Sequence, residues 1–287
     1  MDKDSVLGMI VGCAVGDALG APYEFMHRED VTFTADSDMI AGGVHDVSVG
    51  EWTDDTALMV AAAEAYVARG GFDPAAIAAN FKQWRKTGEY GTRDYVFDIG
   101  ATTDEAIDYM TPERPYAGSS SAGASGNGSL MRIAPAIAAN HNNKYAAIGE
   151  SVALALMTHG NHDTVHHISA FVAELFEGKL PHFAHLRRWD INTEHGTGSI
   201  MHSYNAAWYG FHYGKTFDGA MDEVIRLGHD TDTNAAITGM LVGARVGYSN
   251  IPQRWLDKLH QHDKIVSLAS KLYDIGEASC KYKMFTK

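Results

Sequence analysis

The sequence has few of the features that mark secreted, membrane-spanning or nucleic-acid-binding proteins. Its 287 residues include only two cysteines, Cys13 and Cys280, so a disulfide framework is not indicated and a reducing compartment is expected. No run of lysine and arginine occurs, and the net charge is −13. General binding to nucleic acids or anionic membranes is therefore not expected, because phosphate groups attract positively charged surfaces.

Segments typical of export or membrane insertion are also missing. The start, Met1-Asp2-Lys3-Asp4, lacks the basic segment of a signal peptide. The apolar stretch Val6–Leu19 is too short to span a bilayer, and it contains Asp17. We expect a soluble, cytoplasmic protein that is a monomer.

No linker rich in proline or charge divides the chain, so we expect one domain covering residues 1–287. Alternating strand patterns are scarce, and most of the sequence has the apolar periodicity of helices. The predicted helices are Asp4–Ala18, Asp54–Arg69, Pro74–Lys86, Thr103–Tyr109, Lys144–Met157, Thr164–Phe176, Ser199–Trp208, Phe217–Leu227, Thr233–Val246 and Gln253–Tyr273. A short hairpin is predicted within Val31–Val47, with Ala41-Gly42-Gly43 as its turn.

Glycines recur every four residues in two of the predicted helical regions, and each set therefore lies on one helix face. Each helical glycine costs about 0.5–1 kcal/mol relative to alanine, so a stripe of them favours close packing of two helix backbones. One hypothesis is that these two helices lie against each other at a shared site; the alternative is that each packs on some other helix. The sets are Gly8, Gly12, Gly16 and Gly20, and Gly239, Gly243 and Gly247.

Two short acidic motifs, far apart in the chain, mirror each other. One is Trp52-Thr53-Asp54-Asp55-Thr56, and the other is Gly228-His229-Asp230-Thr231-Asp232-Thr233. Carboxylate and hydroxyl oxygens without a nearby cysteine suit hard cations such as Mg²⁺ or Mn²⁺. If the fold brings the motifs together, they offer enough oxygens for a two-metal site. The alternative is ordinary capping, in which Thr53 and the aspartates stabilise a helix N-terminus.

Two further segments are candidates for chemistry or binding. Glu24 follows a Gly/Pro turn among apolar residues, and it is either an acid–base or metal-bridging carboxylate or a solvated loop residue. The stretch Ala117–Ser129 has the composition of a flexible linker. Because it runs directly into the apolar segment Leu130–Pro135, we interpret it as a glycine-serine loop that binds a ligand.

Rival sites have weaker support. His162 and His166 are four residues apart and are a conceivable zinc pair, but the glutamate of a metalloprotease helix is missing between them. Ser125 and Ser129 lack the Gly-x-Ser-x-Gly pattern of a nucleophile between strand and helix. Arg132 is expected to support the glycine-serine loop by hydrogen bonds rather than to bind phosphate.

At these residues the sequence resembles the ADP-ribosylglycohydrolase family, which includes the dinitrogenase reductase-activating glycohydrolases. The shared motifs keep their order along most of the chain. They are GDALGAPYE at Gly16–Glu24, WTDDT at Trp52–Thr56, DIGATT at Asp98–Thr103, GNGSLMRIAP at Gly126–Pro135, THG at Thr158–Gly160 and GHDTDTNAAI at Gly228–Ile237. The resemblance implies a compact all-α domain with a binuclear centre of two Mg²⁺ (or Mn²⁺).

The resemblance also implies roles for individual residues. Glu24 matches a catalytic carboxylate and Asp98 an aspartate near the substrate, so both are candidates for the general base. His159 matches a histidine near the adenosine or phosphate end. The implied metal ligands are Thr53, Asp54, Asp55, Asp230, Asp232 and Thr233, and the implied ADP-ribose loop is Gly126, Asn127, Gly128 and Ser129. The sequence departs from the family at His229, where many members have glycine, and over Lys179–Gly198, which matches no family motif.

The function implied by the resemblance is hydrolysis of the glycosidic bond between ADP-ribose and a modified protein side chain, with arginine as the favoured acceptor. The partners would be an ADP-ribosylated protein as substrate and ADP-ribose as product. Three alternatives remain open. They are an ADP-ribose linkage to serine, nucleic acid or a small molecule; an inactive ADP-ribose-binding protein; and a two-metal phosphohydrolase acting on a small nucleotide.

Overall fold

The computed structural model describes residues 1–178 and 198–284, with side chains as far as residue 279. Regular structure in these residues is helical, which confirms the predicted all-α class. The helices are α1 (Lys3–Gly20), α2 (Asp54–Arg69), α3 (Pro74–Thr87), α4 (Ala101–Tyr109), α5 (Ala134–Ala139), α6 (Lys144–Leu156), α7 (His162–Glu177), α8 (Ile200–Tyr213), α9 (Phe217–Ile225), α10 (Thr231–Val246), α11 (Gln253–Leu256) and α12 (His262–Met284). The unmatched segment Lys179–Gly198 lies outside the described residues, apart from Gly198.

Local signals explain where several helices begin and end. The Asp2 side chain accepts a hydrogen bond from the Ser5 amide and so caps α1. Asp73 caps α3 in the same way, with Pro74 as its first helical residue. Helix α2 ends at Arg69 and is followed by Gly70, whose φ of 73° glycine adopts without strain.

Helices α1 and α10 lie side by side at the centre of the fold, with their glycine stripes in contact. A methyl group at Gly12 would come within 2.4 Å of the Gly239 carbonyl oxygen, and one at Gly243 within 2.0 Å of the Gly8 carbonyl oxygen. Only glycine permits this approach, so the hypothesis that the two stripes face each other is confirmed.

Burial of α1 accounts for its apolar composition. The segment Lys3–Tyr23 is 21 residues long with a mean hydropathy of 1.5, so by length and composition alone it would be able to cross a membrane. However, 89% of its apolar window is buried inside the fold. The other helices surround the central pair: α8 and α9 pack on α10, while α12 packs on α1, α2 and α5.

The predicted hairpin within Val31–Val47 is wrong in extent and in its turn. The structure has one isolated antiparallel bridge there, between Gly42 and Val47, whose amide and carbonyl groups bond to each other at 2.8 and 2.9 Å. The chain reverses over residues 43–46, which overlap the predicted turn only at Gly43. Consecutive glycines and a short apolar stretch indicated a turn correctly, but the segment has too few paired residues to form strands.

Candidate active site

The two acidic motifs meet at one end of the central helix pair. The Thr53 hydroxyl lies 3.4 Å from Asp232 Oδ2, and the Thr233 hydroxyl lies 3.3 Å from Asp55 Oδ2. These pairs are separated by 179 and 178 residues in the chain. Helices α2 and α10 both begin here, so the positive ends of two helix dipoles face the carboxylates.

The Thr53 side chain takes part in the acidic cluster instead of capping α2. Thr53 is the N-cap residue, but its side chain makes no capping hydrogen bond. Its hydroxyl donates to Asp17 Oδ1 at 3.1 Å and lies 3.3 Å from Asp55 Oδ2. The capping alternative therefore does not account for the hydroxyl of Thr53.

Asp17 is a site residue that the sequence reasoning missed. It is fully buried on α1, and its carboxylate accepts hydrogen bonds from the amide and hydroxyl of Thr53 and of Thr56. Burial raises the pKa of Asp17 to about 6, and these hydrogen bonds oppose the rise. Asp17 thus fixes the start of α2 against α1. A single carboxylate in the otherwise apolar stretch Val6–Leu19 was the available signal.

The aspartates of the cluster crowd negative charge into a buried space. Burial, followed by repulsion from neighbouring carboxylates, holds the pKa of Asp54, Asp55 and Asp232 well above the usual range. Burial also raises the pKa of Asp230. Asp55 Oδ1 and Asp232 Oδ1 are buried without a hydrogen-bond partner in the described part of the chain. Orphaned carboxylate oxygens beside threonine hydroxyls fit the needs of a hard divalent cation.

Glu24 and Asp98 lie together beside this cluster, with a histidine between them. His45 Nε2 is 2.8 Å from Glu24 Oε2 and 3.6 Å from Asp98 Oδ2. Burial, then repulsion from Asp98 and Asp230, raises the pKa of Glu24 to about 9. The ligand atoms of Glu24, His45 and Asp98 all lie within 4.8 Å of one another, a spacing that is compatible with a metal ion. Sequence reasoning missed His45, which belongs to no motif.

These groups open onto a cleft of about 700 Å³. Its lining includes Glu24, Asp54, Asp98, Asp230, Asp232, Thr233 and, on the other side, Gly126, Asn127, Gly128 and His159. The side-chain amide of Asn127 donates to Asp230 Oδ2 at 2.7 Å and so joins the glycine-serine loop to the acidic cluster. Ser129 lies beneath the loop, fully buried, and its hydroxyl donates to the Gly126 carbonyl at 3.0 Å.

A buried arginine supports the loop from behind, and a neutral histidine lies beside the loop. Arg132 donates to the Gly128 carbonyl and to the Thr158 hydroxyl, which confirms its predicted supporting role. The Thr158 hydroxyl in turn lies 2.7 Å from His159 Nδ1. Burial, with a smaller effect from the charge of Arg132, lowers the pKa of His159 to about 3. His159 is therefore uncharged at neutral pH and presents Nε2 towards Gly126.

The rival histidine pair does not form a comparable cluster. The His162 side chain is 91% exposed, and its ring stacks on His166 with 6.3 Å between the ring centroids. Within residues 1–178 and 198–279, Glu24, His45 and Asp98 are the one set of three metal-ligating side chains at this spacing. The zinc alternative therefore receives no support from the described residues.

Comparisons of the sequence and of the structure with known proteins all identify similarity to one protein family. A family model described as ADP-ribosylglycohydrolase matches residues 1–281. An ADP-ribosylarginine hydrolase Tri1 from Serratia proteamaculans is 29% identical over 295 residues, covering 94% of this chain and 79% of that protein. The ADP-ribosyl-[dinitrogen reductase] glycohydrolase of Rhodospirillum rubrum is 31% identical over 278 residues, covering 89% and 90%. A solved structure described as an ADP-ribosylglycohydrolase-related protein complex superposes with a TM-score of 0.80 at 31% identity, covering 96% of this chain and 98% of that one.

Proposed function

This chain belongs to the ADP-ribosylglycohydrolase family, and on that premise we propose that it is a metal-dependent hydrolase that releases ADP-ribose from modified arginine side chains. The relatives support ADP-ribosyl hydrolase activity in general, and two of them are named for arginine or for dinitrogen reductase. The observation that carries the proposal is the convergence of the two acidic motifs at the base of a cleft whose other side is a glycine loop.

The acidic cluster is the proposed site of two Mg²⁺ or Mn²⁺ ions. The proposed ligands are Thr53, Asp54, Asp55, Asp230, Asp232 and Thr233, which together offer the carboxylate and hydroxyl oxygens that such cations prefer. Bound cations would supply positive charge that attracts ribose hydroxyl oxygens and lowers the pKa of water in the cleft. They would also offset the mutual repulsion of the aspartates.

The glycine-serine loop is the proposed support for the diphosphate. Gly126 and Gly128 have no side chains to obstruct a ligand, and backbone N–H groups bind phosphate oxygens without a positively charged side chain. The neutral His159 beside them adds a ring nitrogen without adding charge. This arrangement suits an anionic ligand in a protein whose net charge is −13.

Glu24 is the proposed acid–base residue, with Asp98 as the second candidate. Hydrolysis breaks the bond between ribose C1″ and a guanidinium nitrogen; water supplies a hydroxyl to C1″ and a proton to the nitrogen. A carboxyl group whose pKa is raised can hold a proton near neutral pH and deliver it to the leaving nitrogen. The acidic environment of Glu24 and Asp98 also favours a positively charged acceptor such as guanidinium.

The test is direct comparison of substrates. The protein is incubated with Mg²⁺ and arginine-, serine- or DNA-linked ADP-ribose, and the products are identified by mass spectrometry. Fastest release of free ADP-ribose from arginine, abolished by EDTA and restored by Mg²⁺ or Mn²⁺, is the expected result. Release from serine or DNA alone would overturn the arginine assignment. Inorganic phosphate or a nucleoside monophosphate as product would identify a phosphohydrolase, and no product with retained ADP-ribose binding would identify a binding protein.

A further inference from the structure

His45 contacts both candidate catalytic carboxylates, although it lies outside every motif shared with the family. Its Nε2 is within hydrogen-bond distance of Glu24 at 2.8 Å, while Asp98 is farther away at 3.6 Å. The side chains of His45 and Glu24 are 16% and 8% exposed, so water competes little with this contact. His45 Nε2 and Glu24 Oε2 share this hydrogen bond, and the imidazole lies between Glu24 and Asp98.

The backbone that presents His45 is held at several points. Gly42 and Val47 bond to each other on either side of the turn, and the Asp46 amide donates to the Gly43 carbonyl at 3.1 Å. Arg93 then donates to the His45 carbonyl at 3.2 Å and to the Asp46 carbonyl at 3.0 Å. A loop fixed by this number of hydrogen bonds presents its side chain from a defined place.

Arg93 is held in place by Glu51, which directly precedes the first acidic motif in the sequence. Its guanidinium bonds to both oxygens of Glu51, at 2.8 and 2.9 Å. Glu51 is 3% exposed and immediately precedes Trp52 and Thr53. The His45 turn is therefore connected through Arg93 and Glu51 to the segment that begins the first acidic motif.

Aromatic rings flank the imidazole and restrict its orientation. The ring centroids of Phe97 and Phe25 lie 5.7 and 6.4 Å from that of His45. These apolar rings offer no hydrogen bond to His45, so the described polar partners of its Nε2 are the two carboxylates. Phe25 directly follows Glu24 and has a φ of 63°, an uncommon backbone conformation for a bulky residue.

We propose that His45 is a positioning residue that fixes the orientation of the Glu24 carboxyl group for proton transfer. This inference rests on the proposed hydrolase function, and the property that His45 would affect is the rate of the chemical step. Without this contact the Glu24 side chain would be free to turn, and the hydrogen bond with His45 opposes that movement. A carboxyl group held in one orientation transfers its proton more effectively than one that samples several.

The test compares three variants of the full chain on ADP-ribosylated arginine. His45→Ala removes the hydrogen bond, His45→Gln keeps an amide N–H donor at a similar reach, and Val44→Ala changes a 62% exposed neighbour in the same turn. We expect His45→Ala to lower kcat about 10–100-fold, the range typical of lost orienting hydrogen bonds, with KM changed less than about threefold. His45→Gln should recover most of the lost rate, and Val44→Ala should match the wild type.

Two further measurements separate positioning from other roles. Mg²⁺ affinity and the melting temperature should be unchanged in His45→Ala; a loss of Mg²⁺ affinity would instead make His45 a metal ligand and overturn the proposal. In a Glu24→Gln background, His45→Ala should cause little additional loss, because residues that act through one another are not additive. Wild-type activity in His45→Ala would refute the positioning role alone, whereas an inactive wild type would refute the proposed function.

Discussion

The two sides of the cleft are built from opposite kinds of polar group. The acidic side presents Asp54, Asp230 and Asp232, whose pKa values are raised by burial. The loop side presents glycine backbone and the neutral His159, supported by the buried Arg132. On the acidic side, Asp55 Oδ1 and Asp232 Oδ1 have no hydrogen-bond partner among the described residues, while the loop side is held by its own hydrogen bonds. Substitutions on the acidic side should therefore affect Mg²⁺ binding and kcat, whereas substitutions on the loop side should affect KM.

Removal of a carboxylate from the acidic side should have the largest effect. We expect Asp54→Ala or Asp230→Ala to lower kcat by at least about 10³-fold. The reason is that the proposed cations, whose positive charge would stabilise the transition state, would no longer be held in place. Mg²⁺ binding, measured by calorimetry, should weaken in the same variants. Asp263→Ala, on a fully exposed side chain, is the matched control. Unchanged turnover in either cluster variant would remove that residue from the site.

Glu24→Gln should separate proton transfer from cation binding. We expect the rate to fall about 10²–10⁴-fold, the usual contribution of a general acid or base. Mg²⁺ affinity should stay close to that of the wild type, in contrast to the aspartate variants. If the rate is retained, Asp98 becomes the acid–base residue, and Asp98→Asn would then show the loss.

Asp55→Asn should make the protein more stable in the absence of divalent cations, whereas most substitutions of buried residues make a protein less stable. Because Asp55 is buried among like charges and one of its oxygens has no described partner, we expect its neutralisation to raise the free energy of unfolding in EDTA by about 1–3 kcal/mol. The stabilisation caused by added Mg²⁺ should disappear in the same variant. Urea denaturation with EDTA and with Mg²⁺ measures both quantities. A less stable variant in EDTA would contradict the view that the cluster is strained without cations.

Gly128→Ala should weaken substrate binding and spare the chemical step. An added methyl group would lie 3.1 Å from the Thr103 hydroxyl and 3.4 Å from His159 Cε1, so the loop has to shift. We expect KM to rise about tenfold, equivalent to about 1.4 kcal/mol, with kcat nearly unchanged. Gly149→Ala, on an exposed face of α6 outside the cleft lining, is the control, because a methyl group there meets no atom within 4 Å. An equal loss of kcat would show that the two sides do not act separately.

His229→Gly should have the smallest effect. His229 has a φ of 61°, and its amide and carbonyl pair with Met26 and Phe25 at 2.7 Å each, so the backbone is fixed in a left-handed conformation. Glycine adopts that conformation without strain but gains freedom in the unfolded chain. We expect the free energy of unfolding to rise by less than about 1 kcal/mol, with activity retained. A large loss of activity would show that the imidazole, which contacts His27, has a role in the reaction.

The parts of the molecule that sequence predicted well depend on short-range patterns. Helix periodicity located α2 and α3 closely, with Gly70 after α2 and the Asp73 cap before α3 as end signals. The four-residue glycine spacing indicated the contact between α1 and α10 as one of two hypotheses. The meeting of the two acidic motifs was expected because their ligand chemistry matched. Their separation of about 180 residues offered no local signal, so the family resemblance supplied the remaining support.

Residues whose roles depend only on tertiary contact were missed. His45 lies in a turn without a motif, and its partners Glu24 and Asp98 are 21 and 53 positions away in the sequence. Asp17 resembled an interruption of an apolar helix until its hydrogen bonds to Thr53 and Thr56 were visible. The Val31–Val47 segment had the local composition of a hairpin, but its residues pair at a single bridge.

The close backbone contact between α1 and α10 limits how the protein can move. With carbonyl oxygens at the positions where side chains would stand, neither helix can slide or rotate against the other without a clash. Asp17 extends this restraint to the beginning of α2. We therefore expect any adjustment to a bulky ligand to occur in the connecting segments around the cleft, while the carboxylate and hydroxyl oxygens at its base keep their spacing.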